Sequence, residues 1–410
     1  MWIPTFSGAS PGSHRKAGSV RLDPGRILVA PDSFKGTLTA SEAAMAMGKG
    51  VRRALPGASV RLFPVSDGGE GFIDALVPPA RGTQEWTEVR GPLPSQRVRA
   101  RWALVAKGTT AVIEMAAASG LALVPPDRRD PCVTTTFGVG ELIRHALDRG
   151  VGSMLIGIGG SATNDGGTGM ASALGVKFLD SSGGLLAQGG SALAGLRRID
   201  AGGLDARLAR TVVTVACDVT SPLTGPGGAS RVFAPQKGAG PADVEILERA
   251  MIRYTDVLSE QLGIDVGSIP GSGAAGGLGA GLVAFCGAAL ESGIDVVLDA
   301  TGFDAALSSC DLVLTGEGRV DSQTRHGKAL AGILRRAAGA RVPVACVAGS
   351  VQGPHAEYTG EKGFIALESL ADGPGGPDAA MANAARTLEE RTRSMLLTLT
   401  ARKAAEGSHG

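Results

Sequence analysis

The chain has 410 residues, of which 43% are apolar and 19% charged, with a net charge of +1. That length exceeds what one hydrophobic core usually serves, so two domains are expected. The near-neutral charge, without long runs of either sign, excludes the electrostatic footprint of a nucleic-acid or anionic-membrane binder and leaves a small molecule as the expected partner. Residues 1–25 contain Pro, Gly and Ser but no apolar h-region, so they read as a flexible tail without a secretory signal, and a cytoplasmic protein is expected. Residues 403–410 read as a second tail. Five scattered cysteines without a C-x-x-C pair read as small apolar side chains.

The fold opens at Arg26-Ile-Leu-Val-Ala-Pro31, an apolar strand running into Asp32-Ser33. Thr39-Ala-Ser-Glu42 is a capping-box pattern, and apolar residues at 43, 47, 51 and 55 keep helical spacing up to Pro56-Gly57. Ser59–Val65 alternates like a strand and enters Ser66-Asp67-Gly68-Gly69-Glu70-Gly71. Between about 83 and 115 three alternating segments predict a β-rich insertion. A helix over Thr135–Leu147 and a strand over Ser153–Ile158 follow; then come a long helix over Pro241–Leu262 and a buried helix over Gly276–Leu290, too short to span a bilayer. The last third alternates again: strands at 311–315, 342–347 and 364–367, a helix over 327–338 and a closing helix from about 377 to 400. This pattern predicts an α/β fold, a discontinuous Rossmann-like parallel-sheet domain (26–82 plus 290–402) interrupted by a smaller mixed α/β domain (83–289).

Four segments share one design, in which an apolar strand ends and small residues surround one or two acids. They are Ala30–Gly36, Ser66–Gly71, Ser161–Gly167 and Thr315–Thr324. Each alone is an ordinary turn sequence. Together, after strands of an open sheet whose ligand crevice lies beyond the carboxyl ends, they predict a site. Carboxylates beside glycine-rich backbone suit phosphoryl transfer, in which acids hold Mg2+ or accept a hydroxyl proton while N–H groups and cations neutralise phosphate. Lys35, Lys237, Arg319 and Lys328 sit in Gly-flanked loops and are the candidate cations.

Other motifs are weaker. Gly157, Gly159 and Ala162 satisfy the dinucleotide fingerprint, with Asp180 about 20 residues on. A dinucleotide turn would start its helix at the second Gly, whereas here Ser161-Ala-Thr-Asn-Asp-Gly-Gly intervenes, so a metal-, phosphate- or hydroxyl-binding loop fits better. There is no P-loop and no H-E-x-x-H, and the G-x-S-x-G at Gly8–Gly12 lies in the tail. His145 and His326 stand alone and read as packing or surface residues.

The blocks APDSFKGTLTA, DGGEG, IEMAAASGL, TTTFGVGELI, IGIGGSATNDGG, ACDV, FAPQKGA, PGSGAAGGLGAG and TGEGRVDSQTRHGKA occur in an order that resembles the bacterial type 1 glycerate kinase family, from about Arg26 to Thr400. The resemblance implies ATP- and Mg2+-dependent phosphorylation of D-glycerate at its 2-hydroxyl, in a cleft between two domains of a monomer or homodimer. On this reading Asp165 and Asp321 are the key acids, one acting as base and the other holding Mg2+ together with Glu317. Lys35 and Arg319 complete the catalytic set. Asp67, Gly68, Gly69, Glu70, Gly159, Gly160, Ser161, Asn164, Gly166, Gly167, Gly316 and Glu317 would hold the nucleotide. A nicotinamide-dependent 2-hydroxyacid dehydrogenase and a non-catalytic nucleotide or sugar-acid sensor remain as alternatives.

Overall fold

A computed structural model describes residues 25–34, 36–69, 71–78, 80–321, 329–360 and 363–407. The two ends of the chain build one sheet and the intervening residues another. The first sheet has five parallel strands in the order Ala366–Ser369, Val344–Ala348, Leu312–Thr315, Arg26–Val29, Ser59–Leu62. Its central strands are continuous apolar runs because helices cover both faces of the sheet. Helix Ala40–Ala54 covers one face, and its predicted capping box is present: Glu42 N–H donates to Thr39 Oγ1 at 3.2 Å while the Thr39 amide donates to Glu42 Oε2 at 2.9 Å.

The second sheet runs Ala289–Glu291, Val212–Ala216, Ser153–Gly157, Thr110–Glu114, Arg97–Val105, Thr83–Arg90. The first four strands are parallel, and the last two pair antiparallel, which is the expected β-rich segment. The boundary expected at 289/290 thus falls inside a strand of this sheet. Helices Phe72–Leu76 and Gly293–Thr301 lie between the sheets, and one apolar core joins Phe63 and Val313 of the first sheet's side to Val112 and Ala216 of the second through Phe72, Ile73 and Ile294. Polar ties reinforce the junction: Glu114 Oε1 accepts from Ile73 N–H at 2.8 Å, and Arg101 grips Asp74 at 2.8 and 3.0 Å. The sheets are therefore held in fixed relation by a shared core.

Two expected helices differ in extent. The buried helix spans Ala274–Cys286, because Gly287 adopts a left-handed φ of 62° and releases the chain into the strand Ala289–Glu291. The closing helix is two helices, Gly376–Ala382 and Ala384–Gly407, broken where Asn383 leaves helical geometry at φ −130°, ψ 37°. None of the five cysteines forms a disulfide; three are buried and two half-buried. Among the described residues no helix is long and apolar enough to cross a membrane.

Candidate active site

Every strand of the first sheet points its carboxyl end the same way, so the loops that follow gather on one side. Asp32 and Ser33 come from the loop after Arg26–Val29, Asp67 from that after Ser59–Leu62, Glu317–Asp321 from that after Leu312–Thr315, and Ser350 from that after Val344–Ala348. Together they line a polar cleft of about 350 Å³. Asp32 is held by its own turn, its Oδ1 accepting from Ser33 N–H at 2.6 Å, while its amide donates to Gly316 O at 2.8 Å.

The second sheet contributes a larger cleft of about 440 Å³. Gly159, Gly160 and Ser161 follow Ser153–Gly157, and Cys217, Asp218 and Val219 follow Val212–Ala216. Leu121, Ile158, Phe233 and Ala274 give this cleft apolar walls, and Lys237 gives it a cation. Asp67 lines both clefts and marks where they meet.

The meeting is a contact of backbones. Gly68 has φ +88°, and a β-carbon on it would stand 2.7 Å from Ala216 Cβ. A β-carbon on Gly157 would lie 2.6 Å from Gly68 O. Neither position tolerates a side chain without moving a loop. Asp218 sits beside this contact: its Oδ1 accepts from Gly293 N–H at 2.7 Å and Ser292 Oγ at 3.3 Å, and its Oδ2 is buried without a hydrogen-bond partner among the described residues. Burial, and then the nearby charge of Asp67, push its carboxyl up to about 7.

Lys237 is 1% exposed. Its ammonium donates to Ser161 Oγ at 2.8 Å and to Thr163 O at 2.7 Å. Burial pushes its pKa down to about 7, opposed by the negative charge of Asp165.

The sequence profile described as the Glycerate kinase family matches residues 27–400. The chain belongs to the glycerate kinase family. It is 46% identical over 374 residues to the glycerate 2-kinase of Escherichia coli K12, covering 91% of this chain and 98% of that one. It is 47% identical over 375 residues to the glycerate kinase of Bacillus subtilis 168, covering 91% and 97%. A crystal structure from Salmonella typhimurium LT2 that carries the name glycerate kinase 2 superposes with a TM-score of 0.82 at 46% identity, covering 93% of this chain and all of that one. The glycerate kinases are enzymes, so the dehydrogenase and sensor alternatives lose their ground. The fingerprint at Gly157–Ala162 agrees, because its helix starts only at Thr168.

Within this glycerate kinase fold the predicted site residues divide. Asp67, Gly68, Gly69, Gly159, Gly160 and Ser161 line the larger cleft; Glu317, Arg319 and Asp321 line the polar one, together with Asp67. The Arg319 side chain is 62% exposed, its Nη2 donating to Gln352 Oε1 at 3.0 Å and its Nε lying 3.9 Å from Asp321 Oδ2. Gly316 lies beneath the cleft floor, where its carbonyl accepts from Asp32 and a β-carbon would strike Val347 O. Lys35, Glu70, Lys328 and His326 lie outside the described residues.

Asp165 departs from its expected place. It is fully buried and lines neither cleft. Its Oδ2 accepts from Thr136 N–H (2.8 Å), Thr136 Oγ1 (2.9 Å) and Gly169 N–H (3.2 Å), and its Oδ1 from Gly167 N–H (3.1 Å). Burial raises its pKa and those hydrogen bonds oppose the rise. The carboxylate is consumed in holding the turn before helix Thr168–Ala173 to the start of helix Phe137–Asp148. The metal set Asp165, Asp321 and Glu317 is accordingly not assembled; among the described residues no three His, Cys, Asp or Glu side chains cluster to hold a metal ion. Asn164, Gly166 and Gly167 are buried with it: Asn164 Nδ2 donates to Ser230 Oγ at 3.1 Å, and a β-carbon on Gly166 would strike the Tyr254 ring at 2.7 Å. Their Asn-Asp-Gly-Gly sequence is a structural turn. Asp218 went unselected in the sequence, although ACDV was among the matching blocks and an acid directly after a strand was the available signal.

Proposed function

We propose that the chain transfers the γ-phosphoryl group of ATP to the 2-hydroxyl of D-glycerate, giving 2-phosphoglycerate and ADP. The observation that carries this reading is the position of Asp67 on two adjoining clefts of unlike chemistry. The larger cleft, with apolar walls at Leu121, Ile158 and Phe233 and glycine backbone lining it at Gly159 and Gly160, suits a nucleoside and its phosphates. The smaller, lined almost wholly by polar side chains, suits a three-carbon hydroxy acid.

In the polar cleft Arg319 pairs with the glycerate carboxylate and Asp321 accepts the proton of the 2-hydroxyl as it attacks. Asp32 and Glu317 orient the two hydroxyls. The fit of a divalent cation rests on Asp218, whose buried Oδ2 has no partner among the described residues and whose neighbour is the like-charged Asp67. Asp67 and Asp218 would hold Mg2+, which typically takes one or two carboxylates plus phosphate oxygens. When bound, the ion neutralises phosphate charge and orients the transferring group. Because the transition state is loose, most acceleration comes from holding donor and acceptor in line across Asp67.

Phosphorus NMR of a reaction containing ATP, Mg2+ and D-glycerate tests the proposal. The expected products are 2-phosphoglycerate and ADP in equal amounts. An unchanged ATP spectrum would refute the kinase reading, and 3-phosphoglycerate would refute the assignment of the attacking hydroxyl.

A further inference from the structure

We propose that Lys237, which lines the larger cleft, anchors the terminal phosphates of the nucleotide as a charged donor to the phosphoryl oxygens. This rests on the assignment of that cleft to the nucleotide. A buried ammonium is costly unless a counter-charge accompanies it. Lys237 is fully enclosed, yet it forms no ion pair among the described residues. An ammonium has three donors, and Ser161 Oγ and Thr163 O accept from two. The cleft it lines carries glycine backbone at 159, half-buried, and 160, exposed, on the same loop as Ser161. An anion entering there meets N–H groups, a hydroxyl and the third ammonium proton together.

The local fold places the side chain deliberately. Pro235–Lys237 is one short helical turn, and Gly238 follows with φ +104°, its missing β-carbon making room for Arg129 O. That left-handed residue ends the turn and leaves Lys237 directed inward. The acids facing Lys237 support the same role: Asp165, the charge that acts on it, is saturated by Thr136, Gly167 and Gly169 and offers no ion pair. Asp67 and Asp218 line the same cleft and are reserved for the cation. The depressed pKa of the lysine fits a site that becomes charged as its anion arrives.

Calorimetric titration of the full chain with inorganic tripolyphosphate, adenosine and D-glycerate, each alone, tests the proposal in the wild type and in Lys237→Met. The expected result is a loss of tripolyphosphate affinity of at least thirtyfold in the variant, adenosine and glycerate affinities within about twofold, and a melting temperature no lower than that of the wild type. A purely structural lysine predicts the reverse, with lowered melting temperature and unchanged tripolyphosphate affinity, which would overturn the proposal. Loss of glycerate affinity instead would overturn it by assigning the cleft to the acceptor. Should that variant not fold, Lys237→Gln, which keeps a donor for Ser161 and Thr163 without the charge, decides: a loss of tripolyphosphate affinity of at least thirtyfold supports the anchor, and wild-type affinity overturns it. Anchoring by Lys237 without ADP formation in the presence of glycerate would refute the kinase reading while leaving the anchor intact.

Discussion

A β-carbon on Gly159 would stand 2.7 Å from the Cα of Gly69, so the loop leaving the second sheet and the loop leaving the first touch backbone to backbone. This contact sets the distance between the two clefts. In Gly159→Ala the loops must part, and a displacement on the order of 1 Å of reacting groups costs about 10²-fold in rate. The expected outcome is a kcat lowered by about that factor with the melting temperature close to wild type, read from initial rates and a thermal melt.

Asp165 tests the distinction between holding the site and forming it. Asn in its place keeps one acceptor oxygen and introduces an NH2 that faces the donors of Thr136, Gly167 or Gly169. Leaving one or more buried donors unpaired costs about 1–3 kcal/mol. Asp165→Asn should therefore unfold at lower denaturant, by an amount matching that range. Thr136→Val should do nearly the same, since the Thr136 hydroxyl also accepts from Met170 N–H at 2.9 Å. Wild-type stability in both variants, with abolished turnover, would return Asp165 to the chemistry.

The polar cleft makes its own demands. Asp321→Asn should lower kcat by about 10²- to 10⁴-fold, the usual contribution of a general base, with glycerate binding retained. Arg319→Met should instead raise the KM for glycerate by about tenfold or more, as expected for a lost hydrogen bond to a charged group. Slow turnover of glycerol, which lacks the carboxylate, should be unaffected by that change.

Lys237 makes stability depend on pH. Its pKa is about 7 in the fold, against a reference of 10.5. Between those values the unfolded chain binds more protons than the folded one, so stability rises with pH across the window and its penalty is complete below pH 7. The difference in melting temperature between wild type and Lys237→Met should accordingly shrink as pH is raised from 7 to 10. A constant difference would show that the lysine is charged in the fold.

Much of this was legible in the chain because strand-then-acid loops are a local pattern with a global consequence. Arg26–Val29, Ser59–Leu62 and Leu312–Thr315 each ended in acids, and parallel packing alone brings Asp32, Asp67 and Asp321 to one side. Ser161–Gly167 shows the limit. Its loop also follows a parallel strand, and Ser161 reaches the cleft, yet four residues on Asp165 is claimed by Thr136, a partner 29 positions earlier that no local spacing announces. Asp218 escaped because strand Val212–Ala216 was not distinguished, so the acid after it had no frame. Lys237 was legible as a candidate cation in a Gly-flanked loop, but its burial was not, because that burial is made by tertiary packing.

On the proposed mechanism donor and acceptor meet at Asp67, which lines both clefts, and Asp67→Asn tests this most directly. Steady-state rates and equilibrium binding should be measured on the same preparation. The structure leads us to expect kcat reduced at least 10²-fold, with adenosine and glycerate each still bound within a few-fold of wild-type affinity. Wild-type kcat in that variant would contradict the account.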